Sequence, residues 1–321
     1  MDRRNFIMSG AATAGLTMLP ARSAFAQASG DARLNTAFDQ VLAETVRESP
    51  EFATSLGLDT GRNADLRHQL GDNSYGAIAK NLARSHKALA LVTAVDPAAL
   101  SPQARIDREV VLYNIKSNMI GPEQFGLSSP QGPYPISQQD GVYFSLPDFL
   151  ASTHPVKTVD DAEAYLDRLA LMGRQLDNET DVQRREAAKG RLAPDFSLDL
   201  ALGQMAKLRS PAAADSQLVQ ALTRRTDAAN IGGDWKARAT RIVAEQVYPA
   251  LDRQIALLRS LRPRPAVPRA SGRYPMARPC MLRRSHRRPP PPCHPMRCIA
   301  WACNRSPSSP RSSTRSCAAR V

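Results

Sequence analysis

No cysteine occurs in residues 1–262, and no acidic residue occurs after Arg262. A cysteine-free region suits an exported protein, although many cytosolic proteins share it, so cysteine usage alone leaves the compartment open. The net charge of +13 is concentrated at the C-terminus, because residues 263–321 hold 13 of the 43 basic residues and none of the 30 acidic ones. Residues 1–262 are therefore neutral, with 43 − 13 = 30 basic and 30 acidic residues. We expect no nucleic-acid partner for this region.

The sequence also lacks β-strand patterns. Aromatic residues make up 5% of the chain, no segment alternates polar and apolar residues over a sustained run, and there is no internal repeat. Apolar residues recur instead at spacings of three and four, as in amphipathic helices. The sequence predicts an all-α protein in which a multi-helix region, 27–262, is followed by a disordered tail, 263–321.

The N-terminus has the three parts of a twin-arginine (Tat) export signal. The signal residues are Arg3, Arg4 and Phe6 at the start, a mild apolar run to Leu19, and a small-x-small cleavage site ending in Ala24-Phe25-Ala26. The apolar run is about 13 residues, short of the ~20 that a membrane-spanning helix needs. A disordered basic start is the alternative. We predict that residues 1–26 are removed and that the mature protein is periplasmic or secreted, with no membrane span.

Several helices are marked by their ends. Pro50 opens a short helix, Tyr75 to Val95 is amphipathic, and Ser101-Pro102 provides an N-cap with proline at the first helical position. A last helix runs from about Trp235 to Leu261, and Pro249 is expected to kink it. His68 and His86 have no other ligand types beside them and are interpreted as surface or packing residues.

Residues 121–147 are rich in proline and glycine and predict a long connector. The connector holds four aromatic residues, so we expect it to be packed down. It either spans two helical layers or contributes to a ligand site.

The stretch from His154 to Phe196 is dense in charge. It predicts a helix capped by Thr158, a second helix, a stop at Gly190 and a restart at Pro194. Five carboxylates raise the question of acid–base chemistry or a hard cation: Asp160, Asp161, Glu163, Asp167 and Asp177. We interpret them as solvated charge beside Arg168 and Arg174. No catalytic, cofactor-binding or metal-binding residue is assigned.

The tail after Arg262 contains mainly proline, arginine, cysteine and serine, and four interpretations compete. The tail could be a basic binding segment, a zinc-binding site, a disordered segment or a coding artefact. Export argues against a nucleic-acid tail, and the spacing of Cys293, Cys298 and Cys303 is a poor match to a zinc site. We favour the artefact, because codons for residues 269–284 taken two bases later can encode GVWALPDGEALYAAAL. That frame turns an unfoldable tail into an acidic, amphipathic one.

Five ordered segments resemble the N-terminal half of the bacterial family of unknown function DUF885. They are SPEFATSLGLD (49–59), ALSPQARIDREVVLYNI (99–115), YPISQQDGVYFSLPDFLASTHPVKTVDDAEAYLDRL (134–169), GRLAPDFSLDLAL (190–202) and VYPALDRQIALLRSLRPR (247–264). The shifted-frame sequence would continue the same pattern.

The resemblance implies a zinc-metallopeptidase-like protein whose HExxH-type motif lies in its C-terminal half. This chain contains no HExxH, and His154 is followed by proline, so no metal ligand or catalytic glutamate of the family is transferred to it. We therefore expect an inactive N-terminal scaffold. Zinc and a peptide-like substrate are expected only for a full-length member. A metal-independent periplasmic binding module is the alternative, and the oligomeric state is left open.

Overall fold

The computed structural model describes residues 21–129, 132 and 134–262, with side-chain environments from Ser29 onward. These residues belong to one compact unit and form ten α-helices: α1 Ala21–Glu48, α2 Pro50–Ser55, α3 Tyr75–Thr93, α4 Pro102–Phe125, α5 Val142–Asp148, α6 Val159–Ala188, α7 Asp195–Arg209, α8 Gln217–Ala228, α9 Trp235–Ile242 and α10 Tyr248–Leu261. No β-strand occurs in this part of the chain, so the predicted all-α class is confirmed. None of the described helices is long and apolar enough to cross a membrane.

The predicted helix starts are present with their capping bonds. The Ser101 hydroxyl accepts a hydrogen bond from the Ala104 N–H at 3.3 Å, and proline follows at the first position of α4. Thr158 and Asp161 form a reciprocal capping box at the start of α6, with contacts of 3.1 and 3.0 Å. Each pair satisfies backbone N–H groups that a helix otherwise leaves unbonded.

Two helices extend beyond the bounds expected from the sequence. Helix α1 begins at Ala21 and so includes Ala24 and Ala26, and cleavage after Ala26 stays a prediction. The connector is shorter than 121–147, because α4 continues to Phe125 and α5 begins at Val142. Pro122 and Pro147 lie in the last turns of α4 and α5, where each removes one backbone hydrogen bond, and both helices end within the next three residues.

The expected second helix within 154–196 is also wrong. Helix α6 is continuous for 30 residues, because no proline interrupts it and its one glycine, Gly173, is a packing residue. The predicted restart is correct, since Pro194 directly precedes α7.

The main hydrophobic core is built around α6. Its apolar stripe is almost completely buried, and α7, α8, α9 and α10 supply most of the facing residues. The stripe is Tyr165, Leu166, Leu169, Met172 and Leu176. A Cβ atom on Gly173 would lie 2.8 Å from the Gln246 carbonyl oxygen, so only glycine permits this close crossing.

The segment that crosses α6 at Gly173 is irregular just before Pro249, the residue predicted to kink the last helix. Residues Val243–Val247 form a π-helical turn between α9 and α10. Pro249 has no N–H to bond residue 245, and its ring crowds that carbonyl, which accounts for a widened turn at this point.

The predicted signal residues Arg3, Arg4 and Phe6 lie outside the described residues. So does the whole tail, 263–321.

Candidate functional site

Most carboxylates of the charged stretch pair at the surface, as expected for solvated charge. His68 lies 2.6 Å from Asp167, and Asp177 pairs with Arg253 at 2.7 Å. Glu163 pairs with Arg238. Exposed pairs of this kind are worth at most about 1 kcal/mol each, and their side chains have conventional partners. They do not form a catalytic group.

Arg168 and Asp161 contradict that expectation, since both are buried. The Arg168 guanidinium is 0% exposed and donates to neutral acceptors, four of which belong to residues 50–69. The acceptors are the carbonyl oxygens of Pro50, Leu66 and Gln69, the Thr54 hydroxyl, and the ring of His154. Burial lowers the pKa of Arg168 to about 10, so the group remains charged at neutral pH.

His154 is held neutral by this cluster. A guanidinium can only donate, so Nδ1 of His154 accepts from Arg168 at 2.8 Å, and Nε2 carries the proton toward the Asp161 carbonyl oxygen at 2.9 Å. Burial lowers the pKa of His154 to about 4, and the cations of Arg168 and Arg225 add to the effect. With both ring nitrogens bonded and no exposed surface, His154 is a packing residue rather than a base.

The remaining buried polar region opens to solvent and is the candidate site. We call it the Glu179 cleft: a depression of about 380 Å³ between α2, the loop before α3, α3 itself, the start of α5, and α6. Its lining side chains and backbone belong mainly to Glu51, Gly71, Asp72, Asn73, Lys80, Arg84, Gly141, Val142, Gln175 and Glu179. A second depression of about 280 Å³ shares Asp72, Asn73, Ala77, Asn81 and Glu179, so Glu179 lies where the two meet.

Glu179 is fixed by groups from two other elements. Both carboxylate oxygens accept from the Val142 N–H, at 3.0 and 3.1 Å, and Gln254 Nε2 donates at 3.0 Å. Burial raises the pKa of Glu179 to about 7, the two donors oppose the rise, and the negative charge of Asp140 adds to it. A carboxyl that titrates near neutral pH in a cleft can take up or release a proton, which marks a candidate functional site.

The neighbouring groups form a rigid polar wall. Asn73 donates to the Gln175 carbonyl oxygen at 2.9 Å and accepts from Asn178 at 3.0 Å. Glu51 accepts the Gly71 N–H at 3.2 Å. Backbone and amide groups fixed in this way can orient a polar ligand such as a peptide.

The connector contributes to both depressions. Ser128, Ser129 and Pro135 line one of them, and Gly141 borders the other. The connector is also packed down, as predicted, because Ile136 is fully buried and the Tyr143 hydroxyl donates to the Ser137 carbonyl oxygen at 2.7 Å.

Metal ligands do not converge in the described part of the chain. Within it, no three His, Cys, Asp or Glu side chains come together as a possible metal site. The cleft itself offers carboxylates, amides and backbone groups.

Replacing Glu179 with glutamine is expected to stabilise the protein at high pH. The folded-state pKa is raised from 4.5 to about 7, so the stability present below pH 4.5 is lost as pH rises through 7. Glutamine avoids this loss. We expect the advantage of Glu179→Gln over the wild type to grow by about 1–3 kcal/mol between pH 5 and pH 8, measured by urea denaturation. Asp177→Asn, which removes an exposed ion pair of the same helix, should change the free energy of unfolding by the same amount at pH 5 and pH 8. If Glu179→Gln also had equal effects at the two pH values, the raised pKa of Glu179 would be contradicted.

Comparisons with known proteins give a family match and a similar solved structure. The family described as "Bacterial protein of unknown function (DUF885)" matches residues 50–277. One solved structure similar to the chain, at a TM-score of 0.64 and 15% identity, is "the putative lipoprotein from Colwellia psychrerythraea". The similarity covers 72% of this chain and 41% of that one, so this chain spans about two fifths of that protein. No curated protein matches the chain.

Proposed function

Since this chain belongs to the DUF885 family of bacterial proteins, we propose that it is the N-terminal scaffold of an exported, zinc-metallopeptidase-like protein and has no catalytic activity by itself. In this proposal the Glu179 cleft is the part of the scaffold that contacts a peptide-like ligand. The proposed class rests on the resemblance of the five sequence segments, and the proposed inactivity rests on the lack of an HExxH motif in this sequence.

The placement of the histidines carries the proposal. An HExxH zinc site needs two histidines one helical turn apart on one face of a helix. The three histidines of the described region are separated and already engaged. His68 pairs with Asp160 and Asp167, His86 lies 3.4 Å from Glu123, and His154 bonds Arg168.

The direct test is zinc content and peptide hydrolysis by the purified chain. We expect no stoichiometric zinc and no hydrolysis that a chelator abolishes, measured by metal analysis and with a mixed library of quenched fluorescent peptides. Chelator-sensitive hydrolysis that survives replacement of all three histidines by glutamine would point to a contaminant. The same activity lost in that variant would refute the proposal.

Export by the twin-arginine route is part of the same proposal. The similar solved structure is called a lipoprotein, a description compatible with an exported protein. The described contacts of α1 belong to the part of the helix that cleavage after Ala26 would leave in the mature protein. A Cβ on Gly30 would clash with the Ala99 carbonyl oxygen, and Asp31 accepts the Ser101 N–H at 2.9 Å.

Replacing Arg3 and Arg4 together with lysine is expected to keep the chain in the cytoplasm. The transport machinery of this route requires the arginine pair, so lysine should not support export although it keeps the positive charge. Cell fractionation and N-terminal sequencing should find the wild type in the periplasm starting at Gln27. Equal export of the double-lysine variant would show that another route is used.

We further propose that the tail, 263–321, is out of frame. The change of composition after Arg262 and the family-like sequence in the shifted frame support this. The family match ends at residue 277, and so includes the residues over which the break would fall.

A metal-independent binding module is the second candidate. It is favoured by one observation: all the walls of the Glu179 cleft come from described residues of this chain. A ligand that raises the melting temperature of the wild type, but raises that of Asn73→Ala less, without being hydrolysed, would support this function over the first.

A further inference from the structure

The carboxylate of Glu179 has neutral hydrogen-bond donors but no cation beside it among the described residues. Its partners are the Val142 N–H and the Gln254 side-chain amide, and the nearby charge that affects its pKa is the negative one of Asp140. Buried charges in proteins are ordinarily paired with an opposite charge. The position beside Glu179 is therefore suited to a positive group that a ligand brings.

The cations that line the Glu179 cleft are already paired. Lys80 lies 3.3 Å from Asp72, and Arg84 lies 3.4 Å from Glu48. Asp177, two residues before Glu179, pairs with Arg253 of α10. Acidic side chains outnumber basic ones in the lining, so the cleft attracts positive charge. The charged lining residues are Glu48, Glu51, Asp72 and Glu179 against Lys80 and Arg84.

The second depression, of about 280 Å³, places Glu179 next to an apolar wall. The apolar residues that line it are Ala77, Ile78, Pro135 and Val182. The Ser128 hydroxyl oxygen belongs to the same lining, is buried, and has no hydrogen-bond partner in the part of the chain that the structure describes. A buried hydroxyl without a partner is rare unless a bound water or ligand bonds it. The depression thus suits a ligand group that is polar at one end and apolar along its length.

The bonds that Glu179 already makes favour a compact donor over a broad one. An ionised carboxylate offers about four lone-pair positions. The Val142 N–H contacts both oxygens and Gln254 Nε2 contacts Oε2, so one position remains, on Oε1. A guanidinium binds a carboxylate best through two parallel hydrogen bonds, whereas an ammonium group needs only one.

We propose that the second depression binds a primary ammonium group on an apolar stem, with Glu179 as the partner of the charge. The stem would lie along the apolar wall, as lysine side chains lie along apolar surfaces. In a peptide the group is a lysine side chain or the N-terminal amino group. This inference rests on the proposed contact of the Glu179 cleft with a peptide-like ligand, and it names the part of the ligand that is held.

Calorimetric titration of the purified chain at pH 7.5 with two matched pairs of short peptides tests the proposal. The first pair is blocked at both ends and carries lysine or acetyl-lysine; the second is trialanine amide with a free or an acetylated amino group. In at least one pair the charged peptide should bind about tenfold more tightly than the neutral one, as expected for a hydrogen bond to a charged group. The pair with the larger ratio identifies the source of the ammonium group.

Glu179→Gln should reduce this ratio to less than about threefold, because glutamine has no charge. Its amide oxygen can still accept the Val142 N–H, and urea denaturation verifies that the variant is folded. Asp177→Asn is the matched control: it removes a negative charge from the same helix, outside the lining of both depressions, and should leave the ratio unchanged. An undiminished ratio in Glu179→Gln would overturn the proposal. So would an arginine peptide that binds as tightly as the lysine peptide.

The pH dependence of the ratio gives an independent readout. Glu179 has a pKa of about 7, so its carboxylate form increases about tenfold between pH 6 and pH 8, while a lysine side chain stays charged. For the lysine pair, the ratio in the wild type should rise by up to about tenfold over this range, and that in Glu179→Gln should stay constant. A constant ratio in the wild type would contradict the role of Glu179.

The same titrations separate this proposal from the proposed function. If charged and neutral peptides bind equally tightly, the ammonium site is wrong and the contact with a peptide-like ligand stands. If no peptide of either pair binds, both are wrong.

Discussion

Replacing Arg168 with methionine is expected to lower the free energy of unfolding by about 3–5 kcal/mol. The guanidinium bonds three backbone carbonyl oxygens, the Thr54 hydroxyl and His154, all from segments that α6 must hold in place. Methionine fills a similar volume but donates no hydrogen bond, so several buried acceptors would lose their partners. Urea denaturation at pH 7 measures the loss.

Arg174→Met on the same helix provides the control. Arg174 is exposed, and its replacement should change stability by no more than about 0.5 kcal/mol. The free energy of unfolding of Arg168→Lys should be closer to that of Arg168→Met than to that of the wild type. A single ammonium group cannot reach all the acceptors that surround the planar guanidinium. Similar stabilities of the two methionine variants would show that the buried cluster does not tie α2 to α6.

Two glycine-to-alanine substitutions are expected to act in opposite directions. Gly173→Ala should destabilise the protein by about 2–3 kcal/mol, because the new methyl group would meet the Gln246 carbonyl oxygen at 2.8 Å and push the π-helical turn away from α6. Gly203→Ala should stabilise the existing chain by about 0.5–1 kcal/mol, because the position is helical and the space above it is open.

Both glycines lie inside helices, so helix propensity alone favours alanine at each of them. A destabilising effect of Gly173→Ala would therefore show that α6 and residues 243–247 approach too closely to admit a methyl group. Thermal and urea denaturation of the two variants provide the measurement. Stabilisation by Gly173→Ala would mean that the crossing is looser than the structure has it.

Local signals in the sequence predicted the helices well where the cause was itself local. Ser101 and Thr158 cap their helices as expected, because a cap depends on residues three positions away. The burial of Arg168 could not be predicted in this way. Four of its five acceptors lie 99 to 118 residues earlier in the chain, and nothing in the sequence separates it from the exposed Arg174 on the same helix.

The candidate site was missed for the same reason. Glu179 is one acidic residue among many on α6, and no motif marks it. Its pKa depends on Asp140 and Val142, which are two residues apart, and on Gln254, more than 70 residues after Glu179 in the sequence. The turn-rich connector was the one usable signal, because a packed connector with aromatic residues can line a site. Gly141 borders the Glu179 cleft, and Ser128, Ser129 and Pro135 line the depression beside it.

Family membership and the described fold fit together, but the reaction implied by the family remains a proposal. The main helices predicted from apolar spacing and capping residues are present, and they form a core around α6 that includes the second half of the described chain. Ligand contact at the Glu179 cleft belongs to the proposed function. The chemistry of an HExxH motif has no counterpart in this sequence.

We propose that this chain is the family scaffold separated from its catalytic half by a change of frame. Sequencing the gene across codons 262–270 is the decisive measurement. We expect a base insertion or deletion relative to a frame that continues with GVWALPDGEALYAAAL. An intact frame through residue 321, with the same codon usage after Arg262 as before it, would rule out the change of frame.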